Sequence, residues 1–203
     1  QVQSALPTLS SGQGRSWDKF QALLLGFVAG AACLDDMATF ARDPGFLEIS
    51  DGADYTPKAY GDFLRSFSGL QIRTLQEGLI KSAYSTRQTF AQTESMVFDF
   101  DSTVNEQHGR KMEGVRESKD GVWGLDTFQV FDELGLQYWN EVRPGATFSA
   151  EDVSMVIHEI LARMPKTKAF KNTRVFGRTD SAFCNINFFN ACSAKDVKFV
   201  CTM

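Results

Sequence analysis

Near residue 93 the periodicity of this 203-residue chain changes, and that change constrains its fold more than any other feature. Before it, apolar residues recur at helical spacing, loops are marked by Gly, Pro and Asp, and no two-residue alternation is convincing. After it, strand-like alternation begins. The chain therefore divides into a helical N-terminal domain, 1–93, and a second domain, 94–203, joined by a short connection. At this length each can bury a core without disulfide or metal staples. The longest apolar run, Ala22 to Leu34, is too short to span a bilayer, so no membrane partner is expected. The first residues lack the basic start and apolar stretch of a secretory signal, and Gln1 in place of Met suggests a trimmed terminus.

In the first half, helices are expected over Trp17–Ala32 and Leu34–Arg42, the latter stopped by Asp43-Pro44-Gly45. A third begins at Thr56-Pro57, since Thr caps well and the N–H that proline lacks would have no intrahelical partner. Gly69 is expected to close it, and Leu70–Thr89 forms a fourth. Gly26 and Gly30, four apart, predict close helix packing.

The second half opens with ESMVFDFDST. Met96, Phe98 and Phe100 point to one face of a strand, and Val97, Asp99 and Asp101 to the other, which sets Asp99 and Asp101 about 7 Å apart along it. LDTFQVFDELG and LQYWNEVRPG, divided by Gly135, read as a hairpin. Ser149–Met164 reads as a helix with a capping-box-like start at Ser149 and Asp152 and an apolar stripe of Val153, Val156, Ile157, Ile160, Leu161 and Met164. A strand over Asn172–Thr179, a short helix over Ala182–Cys192 and a buried strand over Val197–Cys201 follow. The fold class is α/β (α+β): a helical region followed by a mixed sheet in the order β-β-β-α-β-α-β.

Asp180 stands where the second of those late strands ends. If its strand neighbours that of Asp101, two carboxylates converge on one sheet end, and oxygen donors of this kind suit Mg²⁺ or Mn²⁺. Strand-ending acids are also commonly solvated or capping groups. The four cysteines, Cys33, Cys184, Cys192 and Cys201, form no C-x-x-C pair and read as reduced, packed thiols of a cytoplasmic protein. His108 and His158 have no ligand partner at metal spacing, and Trp123, Trp139 and the many Phe residues read as core rather than base-stacking platforms.

DFDST (Asp99 to Thr103), QHGRKMEGV (Gln107 to Val115), VRPG (Val142 to Gly145) and RTDSAF (Arg178 to Phe183) occur in the order and approximate spacing of bacterial insertion-sequence transposases of the DDE class, and the chain resembles the N-terminal part of such a protein. The resemblance implies a helical region followed by a partial RNase H-like catalytic domain. It implies Asp101 and Asp180 as the first two catalytic acids and as ligands of Mg²⁺ (or Mn²⁺), with Asp99 the alternative for the first. It implies DNA as partner, both transposon ends and target, leaves room for a homodimer in a synaptic complex, and places the protein in a bacterial cytoplasm at the nucleoid. The family has Gly more often at Ala182 and Asn at Ala146, and it needs a third acid, a Glu on a later helix. After Asp180 this sequence has no Glu, only Asp196, so the chain as given is expected to be catalytically incomplete.

Two other readings compete. FDFDST fits the D-x-D-x-T signature of haloacid-dehalogenase-type phosphohydrolases, with Asp99 as nucleophile and Asp101 as general acid. That family has a parallel sheet, so strands 2 and 3 antiparallel to strand 1 would exclude it. A non-catalytic DNA-binding or dimerising transposase remnant is the other.

Charge bears on DNA binding. The chain carries 21 Lys+Arg against 25 Asp+Glu, net −4, so overall basicity cannot drive it. The stretch RMPKTKAFKNTRVFGR nevertheless gathers Arg163, Lys166, Lys168, Lys171, Arg174 and Arg178 without a single acid, and leads directly into Asp180. These six are the candidate DNA-binding residues, with a solvated face as the plain alternative.

Overall fold

Asp43 and Pro44 both close one helix and open another. The computed structural model describes residues 2–9, 15–90 and 94–202. In it Asp43 accepts a hydrogen bond from the Phe46 N–H at 2.9 Å and Pro44 opens a helix, α3 (Pro44–Ile49). The stop expected there holds, and the same residues are the N-cap and first residue of a further helix that the sequence reading lacked. Before it come α1 (Ser16–Val28) and α2 (Met37–Phe40), the latter preceded by a single 3₁₀ turn over Leu34–Asp36. At Thr56-Pro57 the expectation holds. Thr56 accepts from the Ala59 N–H at 3.2 Å and starts α4 (Pro57–Arg65). Gly69 does not close α4 but begins the 22-residue α5 (Gly69–Phe90).

The paired glycines of α1 have different roles. A Cβ on Gly26 would run into the Met37 thioether, so this is the close packing position. Gly30 lies beyond the helix at φ 103°, where the Gly30 and Ala31 N–H groups return to the carbonyls of Phe27 and Gly26 in a glycine-terminated cap.

The chain forms two compact units, Gln1–Leu75 and Gln76–Met203, with the border inside α5. The junction expected near residue 93 lies outside the described residues. The first unit is built on Ala22, Leu23, Met37, Phe46, Tyr60 and Phe63, all buried. None of the helices among the described residues is long and apolar enough to cross a membrane.

The second unit is a six-stranded mixed sheet with helices: β1 (Ser95–Glu106), β2 (Arg116–Glu117), β3 (Trp123–Asp132), β4 (Gln137–Pro144), α6 (Val153–Ala162), β5 (Arg174–Thr179), α7 (Ile186–Ala194) and β6 (Lys198–Cys201). Among the described residues, the two-residue β2 is the only strand that the expected order lacked. β3 runs antiparallel to β1; β4 and β2 lie along the other edge of β3, both antiparallel to it. On its far side β1 pairs with β5 in parallel, and β5 with β6. The phosphohydrolase reading required a parallel sheet. Instead β3 returns antiparallel beside β1, and although β2 and β4 run in the direction of β1, neither pairs with it.

The alternation read in β1 holds: Met96, Phe98 and Phe100 are buried in one cluster with Ile80 and Tyr84 of α5, Val156 and Ile160 of α6, and Phe188 and Cys192 of α7. Tyr84 ties α5 to α6 by donating its hydroxyl to the Ile160 carbonyl at 3.0 Å. Gly135 turns the β3–β4 hairpin at φ 79°, with the Asp132 carboxylate accepting from the Leu134 and Leu136 N–H groups at 2.9 Å each.

Three expectations need correction. The helix expected from Ser149 starts at Val153, because Asp152 sits in the left-handed region at φ 61° and forms no side-chain cap. In place of one helix over Ala182–Cys192 there is a 3₁₀ turn, Ser181–Phe183, and then α7, capped by Asn185. β6 is an edge strand with Lys198, Phe199 and Val200 exposed, not a buried one. Of the thiols, Cys192 is buried but Cys33 is exposed; no disulfide joins the described cysteines.

The Gly of VRPG has a steric reason. A Cβ on Gly145 would press into the carbonyls of Gly124 and Arg116, which are backbone and cannot swing away. Gly145→Ala is therefore expected to cost about 1–3 kcal/mol by overpacking, read as a lower urea midpoint, whereas Ala at the open Gly109 should leave it unchanged.

Candidate active site

Parallel pairing of β1 and β5 brings the sequence-selected acids together. The register runs from Ser95 opposite Arg174 to Phe100 opposite Thr179, and the Thr179 hydroxyl donates to the Phe100 carbonyl at 3.2 Å. Asp101 is the next residue on one strand and Asp180 the next on the other. They therefore stand side by side just past the last paired residues of the two strands, which lie about 4.8 Å apart; β5 ends there, but β1 runs on along β3 to Glu106, so Asp101 does not end its strand as expected. Both are exposed. Asp101 accepts from the Ser102 N–H at 2.9 Å and from the Thr103 hydroxyl at 3.3 Å. Asp180 accepts from the Ala182 N–H at 2.9 Å, capping the Ser181–Phe183 turn. Each acid is thus oriented by a backbone N–H while keeping lone pairs to spare.

Asp99 is in a different position. It lies opposite Arg178 in the register, and the guanidinium holds both its oxygens, Nε to Oδ1 at 2.5 Å and Nη2 to Oδ2 at 2.7 Å. A carboxylate gripped in this bidentate way is poorly placed to be a nucleophile.

The basic run divides by partner. Arg163 is paired with Glu77 at 2.7 Å and Glu159 at 2.5 Å, and Arg178 with Asp99. Lys166, Lys168, Lys171 and Arg174 are exposed and form no salt bridge with any described residue. Of the histidines, His108 is exposed in the loop after β1, and His158 is exposed on α6 with Nδ1 2.9 Å from the Lys195 ammonium. Among the described residues no group of three His, Cys, Asp or Glu is gathered into a metal-binding cluster.

Sequence reasoning missed two buried charge networks. Asp126 and Asp132 both sit on the inward face of β3, each paired with a buried arginine: Asp126 with Arg143 and Asp132 with Arg87. The signal was present. In the alternation Gly124, Asp126, Phe128, Val130, Asp132, two acids interrupt an otherwise apolar face, and buried acids require partners.

The family model described as "Transposase DDE domain group 1" matches residues 16–203. No curated protein is significantly similar. Among solved structures, the catalytic domain of Mos1 mariner transposase is 10% identical at a TM-score of 0.38, over 61% of this chain and 57% of that one. The Mos1 mariner paired end complex with Mn is 12% identical at 0.33, over 95% and 61%. A piggyBac transposase synaptic complex with hairpin DNA is 10% identical at 0.41, over 98% and 47%. The chain thus spans well under two thirds of the length of these proteins, and likeness at this level assigns neither residues nor partners.

Proposed function

Because the chain belongs to the transposase DDE domain group 1 family, we propose that its second unit carries two acids of a site that cuts and joins DNA phosphodiester bonds at transposon ends. Asp101 and Asp180 are the residues that would hold Mg²⁺ or Mn²⁺. The observation that carries this reading is their placement side by side where the parallel pairing of β1 with β5 ends, each exposed and offering hard oxygen donors. The preference for Asp101 over Asp99 is supported by the bidentate hold of Arg178 on Asp99. Divalent ions bound at such acids supply Lewis-acid stabilisation of the reacting phosphate. The chain's own residues contribute positioning. The sheet fixes the two acids side by side, whereas Lys166, Lys168 and Lys171 precede β5 and Arg174 opens it, about 20 Å along the strand from Asp180, so the phosphate contacts they offer are to DNA running away from the acids, weak and salt-sensitive because the chain as a whole is acidic. In the whole protein the reaction is hydrolysis at the transposon end followed by attack of the freed 3′-hydroxyl on target DNA, with paired ends held in a synaptic complex. Without a third acid this chain alone binds the ion weakly and supports little or no cleavage.

Mn²⁺ titration followed by paramagnetic broadening of backbone amide signals tests the reading. Broadening should centre on residues 100–103 and 179–182, disappear in Asp101→Asn and in Asp180→Asn, and persist in the exposed control Asp120→Asn. Broadening centred elsewhere overturns the assignment, and robust strand cleavage by this chain overturns its incompleteness.

A further inference from the structure

We propose that Ser102, Asp126 and Arg143 are positioning residues that set the orientation of Asp101 from the buried side of the sheet, a proposal that rests on the reading of Asp101 as a site acid. The three lie on neighbouring strands, with Asp126 of β3 opposite Val104 of β1 on one side and Arg143 of β4 on the other. Asp126 and Arg143 are buried, their side chains 2% and 4% exposed. Arg143 donates to Asp126 Oδ2 from Nε at 2.7 Å and lies 2.6 Å from it through Nη2, with its guanidinium 4.6 Å from the centre of the Phe128 ring. The other oxygen, Oδ1, accepts the Ser102 hydroxyl at 2.5 Å, and Arg143 Nη2 reaches the same hydroxyl at 3.3 Å. The Ser102 backbone N–H in turn donates to Asp101 Oδ1 at 2.9 Å. Ser102 thus links a buried guanidinium, through its hydroxyl, to an exposed carboxylate on the opposite face of β1, through its backbone N–H.

Stability alone does not account for this arrangement. A buried ion pair of this kind is commonly matched or bettered by apolar side chains of similar volume, whereas only directional bonds define a register. A one-residue slip of β1 against β3 would turn Asp101 into the core and Ser102 outward. The network penalises that slip, since Asp126 and Arg143 would lose the hydroxyl. Arg143 also donates to the Glu151 carbonyl at 3.0 Å, so the approach to α6 is fastened to the same point. The arginine and the serine belong to the VRPG and DFDST segments and, though 41 positions apart in sequence, meet here.

Ser102→Ala in the full chain removes only the hydroxyl link, and Ser102→Thr retains it. The first readout needs no metal: the Hα–Hβ couplings of Asp101 by NMR. The parent protein and Ser102→Thr should show one side-chain rotamer, and Ser102→Ala an average over several, while the amide signals of β4 and β5 stay in place. Identical Asp101 couplings in all three proteins overturn the proposal, as does averaging in Ser102→Thr equal to that in Ser102→Ala. The second readout is the Mn²⁺ concentration that half-broadens Asp101, expected to rise about tenfold in Ser102→Ala and to recover in Ser102→Thr. If Mn²⁺ leaves Asp101 of the parent protein untouched, the metal reading has failed, and the couplings still decide the positioning role.

Discussion

Arg87→Met is expected to lower the unfolding free energy of the second unit by about 3–5 kcal/mol, the usual cost of stranding a buried charge. Arg87 is 2% exposed and the Asp132 side chain fully buried; Nη1 donates to Asp132 at 2.8 Å, and Nη2 to Glu133 at 2.6 Å and to the Ser95 carbonyl at 2.8 Å. Removing the guanidinium leaves Asp132 with the Tyr138 hydroxyl and the Leu134 and Leu136 N–H groups, but without a countercharge. Urea denaturation checks the value, and a loss below about 1 kcal/mol, the size of an exposed pair, would mean that water reaches Asp132. The pH dependence follows from Glu133. Burial pushes its pKa up, but hydrogen bonds from Arg87 and from the Val97 N–H, together with the Arg87 charge, outweigh burial and hold it below the ordinary carboxylate value. A pKa lower in the folded than in the unfolded chain stabilises fully above the unfolded value and is lost as pH falls through the folded one. The stability gap between the parent protein and Arg87→Met should therefore narrow on acidification through that range.

Phe188→Ala is the second large effect, expected at about 3–5 kcal/mol for a fully buried ring. Phe188 packs edge-on against Phe100 at 5.5 Å and Phe199 at 5.8 Å, and lies 6.3 Å from Phe183. Phe100 immediately precedes Asp101, and Phe183 belongs to the turn that Asp180 caps. The void opens beside the segments that carry both acids at once. Phe188→Ala should accordingly weaken Mn²⁺ broadening at Asp101 and Asp180 even at temperatures where the protein is folded, and Phe188→Leu, which leaves a smaller void, should do so less. Thermal unfolding with and without Mn²⁺ separates the two effects. A void that cost stability yet left Mn²⁺ broadening unchanged would show that the cluster does not support the acids.

What the sequence made legible was whatever local chemistry decides. Alternation in β1, Gly135 in the hairpin and Thr56-Pro57 at α4 each fix a structure within a few residues. At Asp43-Pro44 the stop was legible but the next helix was not, because Asp followed by Pro ends one helix and caps the next with the same atoms. β6 looked buried because its apolar residues are those of an inner strand, and only the sheet order makes it an edge. The site was legible in part. Asp101 and Asp180 stood out as strand-ending acids, but their adjacency depends on a pairing that no local pattern encodes. Arg163 looked like an available cation because its partner Glu77 lies 86 positions away. Asp126 passed unnoticed because an acid on an apolar face gains meaning only once Arg143 is known to meet it.

The parallel pairing of β1 with β5 also has a consequence in time. The β3–β4 hairpin closes over the six positions from Asp132 to Tyr138, whereas Phe100 and Thr179 are separated by 79. By loop entropy alone the longer closure costs about 2 kcal/mol more. The antiparallel strands can therefore pair early from local contacts, while β5 waits for the α6 crossover to bring it back beside β1. The two acids are neighbours only after that late step, so the chemistry comes into being last, on a sheet already formed.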